Sequence, residues 1–266
     1  MYATAADGAR MYYETHGEGP PLLLHPGFGC SVEIYAANIP ALAERYRVIV
    51  LDPRGHGRSS APTDGYAMAV FARDCAAVLD AAGVARAHVL GTSFGGMVAQ
   101  HFALDFPERV DGLVLGCTTA GGSRHVLPRA EDAATFVAAA SEPDMETAVR
   151  MRLRMNYSPA YAQAHEAEII ARAQEHAHFR SEAGTAGQLA AVQGHDTWER
   201  LPAIAAPTLI LHGDEDGIVP VANAHILAER IPGARLKIYE GARHVFFIER
   251  ADEFNRDVLA FLGEGA

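Results

Sequence analysis

Lysine is almost absent from this 266-residue chain: Lys237 is the only one, and every other cationic side chain is an arginine. The two types number 22 against 33 acidic residues, a formal net charge of −11. Nucleic-acid recognition needs clustered positive charge, so this balance argues against a nucleic-acid partner. Cysteine is scarce as well. Cys30, Cys75 and Cys117 are odd in number and no pair has C-x-x-C spacing. That argues against a disulfide framework and for a reducing, cytoplasmic setting. The opening MYATAADGAR has no basic region followed by an apolar run, so no secretory leader is expected. No apolar run approaches the roughly 20 residues that span a bilayer, so no membrane partner is expected. Metal and organic cofactors are not implied either. His176 and His178, two apart, would lie on different faces of a helix and make a poor ligand pair.

What is present is an apolar fraction of 49% with 21% charged residues, enough for a large core in a soluble domain. The apolar residues fall in short runs. YATAADGARMYYET reads as a hairpin around Asp7-Gly8. PPLLLH, YRVIVLD, HVL, VDGLVLG, PTLILHG and ARLKIYEG read as strands, the continuous runs among them buried on both faces. Helical patterns alternate with them, roughly over 32–45, 66–82 and 94–105. From about 120 to 197 the chain is rich in Ala, Glu, Arg and His, with helical periodicity and no good strand. Alternation predicts an α/β fold: a mostly parallel twisted sheet of about eight strands with helices on both faces. The helical block predicts a cap, 120–197, inserted into a core of 1–119 and 198–266.

HVLGTSFGGMVAQ carries the chemistry. In G-x-S-x-G between a strand and a helix, the serine sits on a sharp strained turn, with its hydroxyl raised at the helix N-terminus. Gly91 and Gly95 are the positions where backbone must pass closely. Ser93 is the expected nucleophile, and it needs a base and an orienting acid from loops after later strands. LILHGDEDGIVP offers Asp214, Glu215 and Asp216; EGARHVFF offers His244. His244 is the expected base. Asp216 is preferred to Asp214 as the acid, because the turn brings it back toward the site. The glycine turn in LLLHPGFGCS should supply a second oxyanion donor, the backbone N–H of Phe28, beside that of Phe94. Cys30 reads as a small buried residue, and the charged residues of DPRGHGRSS as structural.

HPGFGCS, VIVLDPRGHGRSS, VLGTSFGGMVAQ, PTLILHGDEDGIVP and EGARHVFFIERADEF together resemble the α/β-hydrolase fold superfamily in order and spacing. One departure is Pro26, which separates His25 from Gly27 where many relatives have His directly before Gly. The resemblance implies a serine hydrolase of the carboxylic-ester class, acting on a small-molecule ester or lactone through an acyl-enzyme. The cap, through NYSPAY, resembles those of enol-lactonase-like relatives. A serine nucleophile disfavours the epoxide and halide chemistry of relatives with aspartate at this position. Alternatives on the same triad are C–C bond hydrolysis of ring-fission products and perhydrolysis; a non-catalytic ligand receptor is a more distant one. In the cap region and just after it, Arg154, Tyr157 and Trp198 are candidates for substrate contact. Arg150 and Arg154, one turn apart, could hold a carboxylate, but a solvated helix face pairing with nearby acids is the favoured reading; Arg152 lies on another face. The oligomeric state is left open, a homo-oligomer included.

Overall fold

The structure, a computed structural model, describes residues 1–264. Strands β1 (Tyr2–Thr4) and β2 (Arg10–His16) form an antiparallel hairpin. Its turn runs through Gly8 at φ 85°, where a side chain would be strained. The remaining strands are β3 (Pro21–His25), β4 (Arg47–Leu51), β5 (Ala87–Thr92), β6 (Val110–Gly116), β7 (Thr208–Gly213) and β8 (Arg235–Tyr239). The sheet order is β1-β2-β4-β3-β5-β6-β7-β8. β1 and β2 pair antiparallel, as do β2 and β4, and every later pairing is parallel.

Strand period two divides the core into two layers. Leu23, Ile49, Leu51, Val89, Leu113, Leu115 and Ile210 point to one face. They meet α2 (Met68–Ala81), α3 (Phe94–Asp105) and α8 (Ala222–Arg230) through residues such as Phe71, Val98 and Leu227. Leu22, Leu24, Val48, Val50, Leu90, Val114 and Leu211 point to the other. There they meet α1 (Ile39–Ala43), α9 (Phe246–Glu249) and α10 (Ala251–Gly263).

Between β6 and β7 run α4 (Ala130–Ser141), α5 (Met145–Asn156), α6 (Pro159–Glu175) and α7 (Glu182–Gln193), with no strand. Asp144, Ser158 and Ser181 cap α5, α6 and α7 by accepting from backbone amides in the first turn. The stretch 32–45, expected as one helix, is instead a 3-10 turn (Val32–Tyr35) followed by the short α1. Pro40 has no N–H to continue a helix through that point. The Asn38 side chain is committed elsewhere, donating to Phe247 O at 2.8 Å and Asn255 Oδ1 at 3.0 Å. Among the described residues no helix is long and apolar enough to cross a membrane.

Candidate active site

Ser93 caps the N-terminus of α3 at φ 55°, ψ −119°, a region costly for any residue with a Cβ. The surroundings hold it there. Its N–H donates to Gly116 O at 2.8 Å, and Thr118 Oγ1 donates to its carbonyl at 2.8 Å. A Cβ on Gly91 would overlap the Gly95 carbonyl, and one on Gly95 would overlap the carbonyl of His25. So the β3 end, the β5 end and α3 converge with no space for side chains. Gly96, whose role was not anticipated, is equally constrained, because a Cβ there would stand 2.6 Å from Thr118 Cβ.

The loops after β7 and β8 bring two further side chains to the serine. His244 Nε2 lies 3.0 Å from Ser93 Oγ, and His244 Nδ1 lies 2.7 Å from Asp216 Oδ2. Asp216 Oδ1 accepts from the amides of Ile218 and Val219 at 2.8 and 2.9 Å, which fixes the carboxylate plane. His212 Nε2 approaches Oδ2 at 3.3 Å and donates to Val219 O at 2.7 Å. Burial alone would raise the Asp216 carboxyl. The facing His244 and the hydrogen bond from His212 outweigh it and hold Asp216 well below the usual carboxylate range. An ionised Asp216 requires the proton on His244 Nδ1, which leaves Nε2 to accept from the Ser93 hydroxyl. Asp214 is elsewhere, accepting from the Gly241 amide at 2.7 Å. His212 escaped the reading of the sequence; its signal was a histidine inside the apolar run LILHG, four residues before Asp216.

Among the described residues, no protein acceptor meets the amides of Phe28 or Phe94, whereas the neighbouring Gly29 amide donates to Gln188 Oε1 at 2.9 Å. The His25 ring hydrogen-bonds Pro26 O at 2.9 Å, and a Cβ on Gly27 would lie 3.5 Å from the Ser93 Cβ. The Phe28 ring packs on Phe136 of α4, centroids 5.8 Å apart.

A cavity of about 290 Å³ opens above the serine. Its floor comes from Gly27, Phe28, Ser93 and His244, and its roof from Phe136, Met145, Arg152, Tyr157, Tyr161 and Ile169 of α4–α6 and the turn between α5 and α6. Of the three residues expected to touch substrate, Tyr157 lines it and the other two do not. Arg154 points outward to Asp132 at 3.2 Å, and Arg150 to Glu146 and Glu166. Trp198 stacks with the guanidinium of Arg230, 4.4 Å from its ring centre, on the flank of the molecule. The inward arginine of α5 is Arg152, three residues from the buried Val149 and three from the buried Met155. Helical period alone could have selected it.

The charged stretch after β4 is a brace. Buried Arg54 donates to both oxygens of Asp74 at 2.7 Å and to Asp7 at 2.8 Å. Asp52 accepts from the Val32 and Arg58 amides at 2.9 and 2.8 Å. His56 nevertheless faces the cavity, and burial holds its imidazole neutral, down to about 4. Cys30 also lines the cavity, with burial pushing its thiol up to about 11, so no thiolate competes with Ser93. Among the described residues no cluster of His, Cys, Asp or Glu could hold a metal ion.

A family model described as the alpha/beta hydrolase fold matches residues 20–251. A protein of Azorhizobium caulinodans named carbamate hydrolase RutD is 37% identical over 99% of this chain and 98% of its own. Among solved structures, the enol-lactonase from Burkholderia xenovorans LB400 superposes with a TM-score of 0.87 at 28% identity, covering 99% of this chain and 100% of its own. A meta-cleavage product hydrolase from Pseudomonas fluorescens IP01 superposes with a TM-score of 0.86 at 28% identity, covering 100% and 98%.

Proposed function

This chain is a hydrolase belonging to the alpha/beta hydrolase fold family, and on that premise we propose that it cleaves a small carboxylic ester or lactone through an acyl-enzyme on Ser93. The observation that carries the reading is the pair of contacts from Ser93 Oγ to His244 and from His244 to Asp216, 3.0 and 2.7 Å. His244 Nε2 takes the hydroxyl proton as Oγ bonds to the acyl carbon. The carbonyl oxygen becomes an oxyanion facing the amides of Phe28 and Phe94 at the α3 N-terminus. As the intermediate collapses, the bond to the alcohol breaks and His244 returns the proton to the leaving oxygen. Water then attacks the acyl-enzyme with His244 again as base, and Ser93 is released with the acid.

Helices α4–α7 act in this reading as a lid over the reacting carbonyl. The cavity volume suits a small substrate, and the named enol-lactonase supports a lactone. A panel of p-nitrophenyl esters of increasing chain length, set beside lactones, tests the proposal. Turnover is expected in one of these groups, and Ser93→Ala should lower kcat by about 10⁶. Turnover confined to carbamates or ring-fission diketones would overturn the ester or lactone assignment. A purified Ser93→Ala protein keeping a tenth of the activity would overturn the nucleophile.

A further inference from the structure

The cavity holds two cations that have no carboxylate partner among the described residues. Arg152 and Arg180 both line it, and among the described residues no carboxylate lies within 4.0 Å of either. Yet the chain has 33 acidic residues for 22 basic ones, so partners were plentiful. Each guanidinium makes one contact to a main-chain carbonyl: Arg152 Nε to Ala148 O at 3.2 Å, and Arg180 to Ala140 O at 2.7 Å. The remaining N–H donors of both forks are unused among the described residues. The other charges facing this space are already engaged. Glu33 is taken by Arg58 at 2.8 Å and by Ser31, with His176 at 3.8 Å. Glu168 is taken by Arg172 at 3.3 Å and His165 at 3.2 Å. Burial and the nearby Arg180 charge both work against the positive charge of Arg152.

Both arginines are fixed by the core rather than by the flexibility of a lid. The amides of His244 and Val245 donate to Met155 O and Asn156 O at 3.3 and 3.0 Å. This ties the end of α5 to the base loop and places Arg152 about one helical turn back toward the N-terminus of α5, over the cavity. Residues Phe179 and Arg180 are pinned to the loop after β4, with Gly57 N donating to Phe179 O at 3.1 Å and a bridge pairing His56 with Arg180. Two unpaired forks converging on one space repel each other, and a carboxylate between them removes that repulsion while filling their donors.

We infer that Arg152 and Arg180 form an anion subsite, and that the substrate carries a carboxylate, besides its scissile carbonyl, which docks between them. The inference rests on the reading of Ser93 as nucleophile of an ester or lactone hydrolase. Two measurements separate it from that reading. The first compares kcat/KM for mono-p-nitrophenyl glutarate with that for p-nitrophenyl butyrate. The wild-type protein should prefer the charged ester. Arg152→Met and Arg180→Met should each lower the charged-to-neutral ratio by roughly tenfold to a hundredfold, as loss of a charge-assisted hydrogen bond does. Arg152→Lys should lower it less, and added salt should narrow the preference. The second is calorimetric binding of glutarate to full-length Ser93→Ala protein, with and without Arg152→Met, which needs no turnover. Should Arg152→Met fail to fold, Arg152→Lys and Arg180→Met carry both comparisons. The subsite is overturned if the ratio is the same in wild type and folded Met variants, or if glutarate fails to bind or binds equally well without the arginines. Glutarate binding lost with the arginines, in a protein that turns over no ester or lactone of the panel, would leave the subsite standing and remove the ester or lactone reading alone.

Discussion

Replacing Asp216 by asparagine exchanges one carboxylate oxygen for an NH₂ group and should nearly abolish turnover. The side-chain oxygen that remains would keep the amides of Ile218 and Val219, which in the wild type meet Oδ1 at 2.8 and 2.9 Å. The new NH₂ group then occupies the place of Oδ2, facing His244 Nδ1 at 2.7 Å and His212 Nε2 at 3.3 Å. Both nitrogens are donors in the wild type, so the amide would set donor against donor. The His244 ring relieves this by moving its proton to Nε2, which can then no longer accept from Ser93 Oγ. A triad aspartate changed to asparagine in a serine protease lowers kcat by about 10⁴, equivalent to about 5 kcal/mol of barrier. The same fall is expected here in steady-state hydrolysis of the best ester or lactone, with KM little changed. Asp214→Asn is the internal control. Among the described residues its carboxylate accepts a hydrogen bond only from the Gly241 amide, at 2.7 Å, and an asparagine oxygen can take that bond over, so kcat should stay within a few-fold. Asp216→Asn keeping more than a tenth of kcat, or Asp214→Asn falling as far, would refute the reasoning.

Two further outcomes concern the frame around the site. Gly95→Ala would drive a Cβ into the His25 carbonyl, with Pro26 O at 2.7 Å. It should cost roughly 1–3 kcal/mol in urea unfolding and lower kcat by moving the Phe28 amide; an unchanged urea midpoint would contradict the packing argument. His25, His56 and His195 are held neutral by burial, down to about 4 from an ordinary 6.5. The unfolded chain therefore binds more protons between those values. Their contribution is fully present above pH 6.5 and lost as pH falls toward 4, up to about 3 kcal/mol apiece. Urea midpoints should drop across that window, before most carboxylates titrate, and a flat profile from pH 7 to 5 would contradict the burial of these rings.

Much of this architecture was legible because its signals are local. Each of the short apolar runs became a strand, and the alternation of Leu22, Leu23 and Leu24 across the sheet follows from strand period alone. Ser93, Asp216 and His244 could be picked out because each lies in the connection that follows a strand, where parallel topology must bring loops to one edge. The helical block resisted reading because an amphipathic helix shows which of its faces is buried but not what covers it. Arg154 and Trp198 looked available for substrate, yet tertiary partners claim both: Asp132 for one and Arg230 for the other. In the sequence Arg152 is masked by the flanking Arg150 and Arg154, whose one-turn spacing is more conspicuous. The break at Pro40 and Asn38 was hidden for a related reason, since the hydrogen bonds of Asn38 run to residues more than 200 positions away.

The claim on which the mechanism depends is that Ser93 Oγ is activated by His244. It can be tested without knowing the substrate, by treating the full chain with a fluorophosphonate and locating the adduct by peptide mass spectrometry. One equivalent should be incorporated on Ser93, with none in Ser93→Ala and much slower labelling in His244→Ala. Labelling at another residue, or labelling of Ser93 at the same rate without His244, would contradict the account.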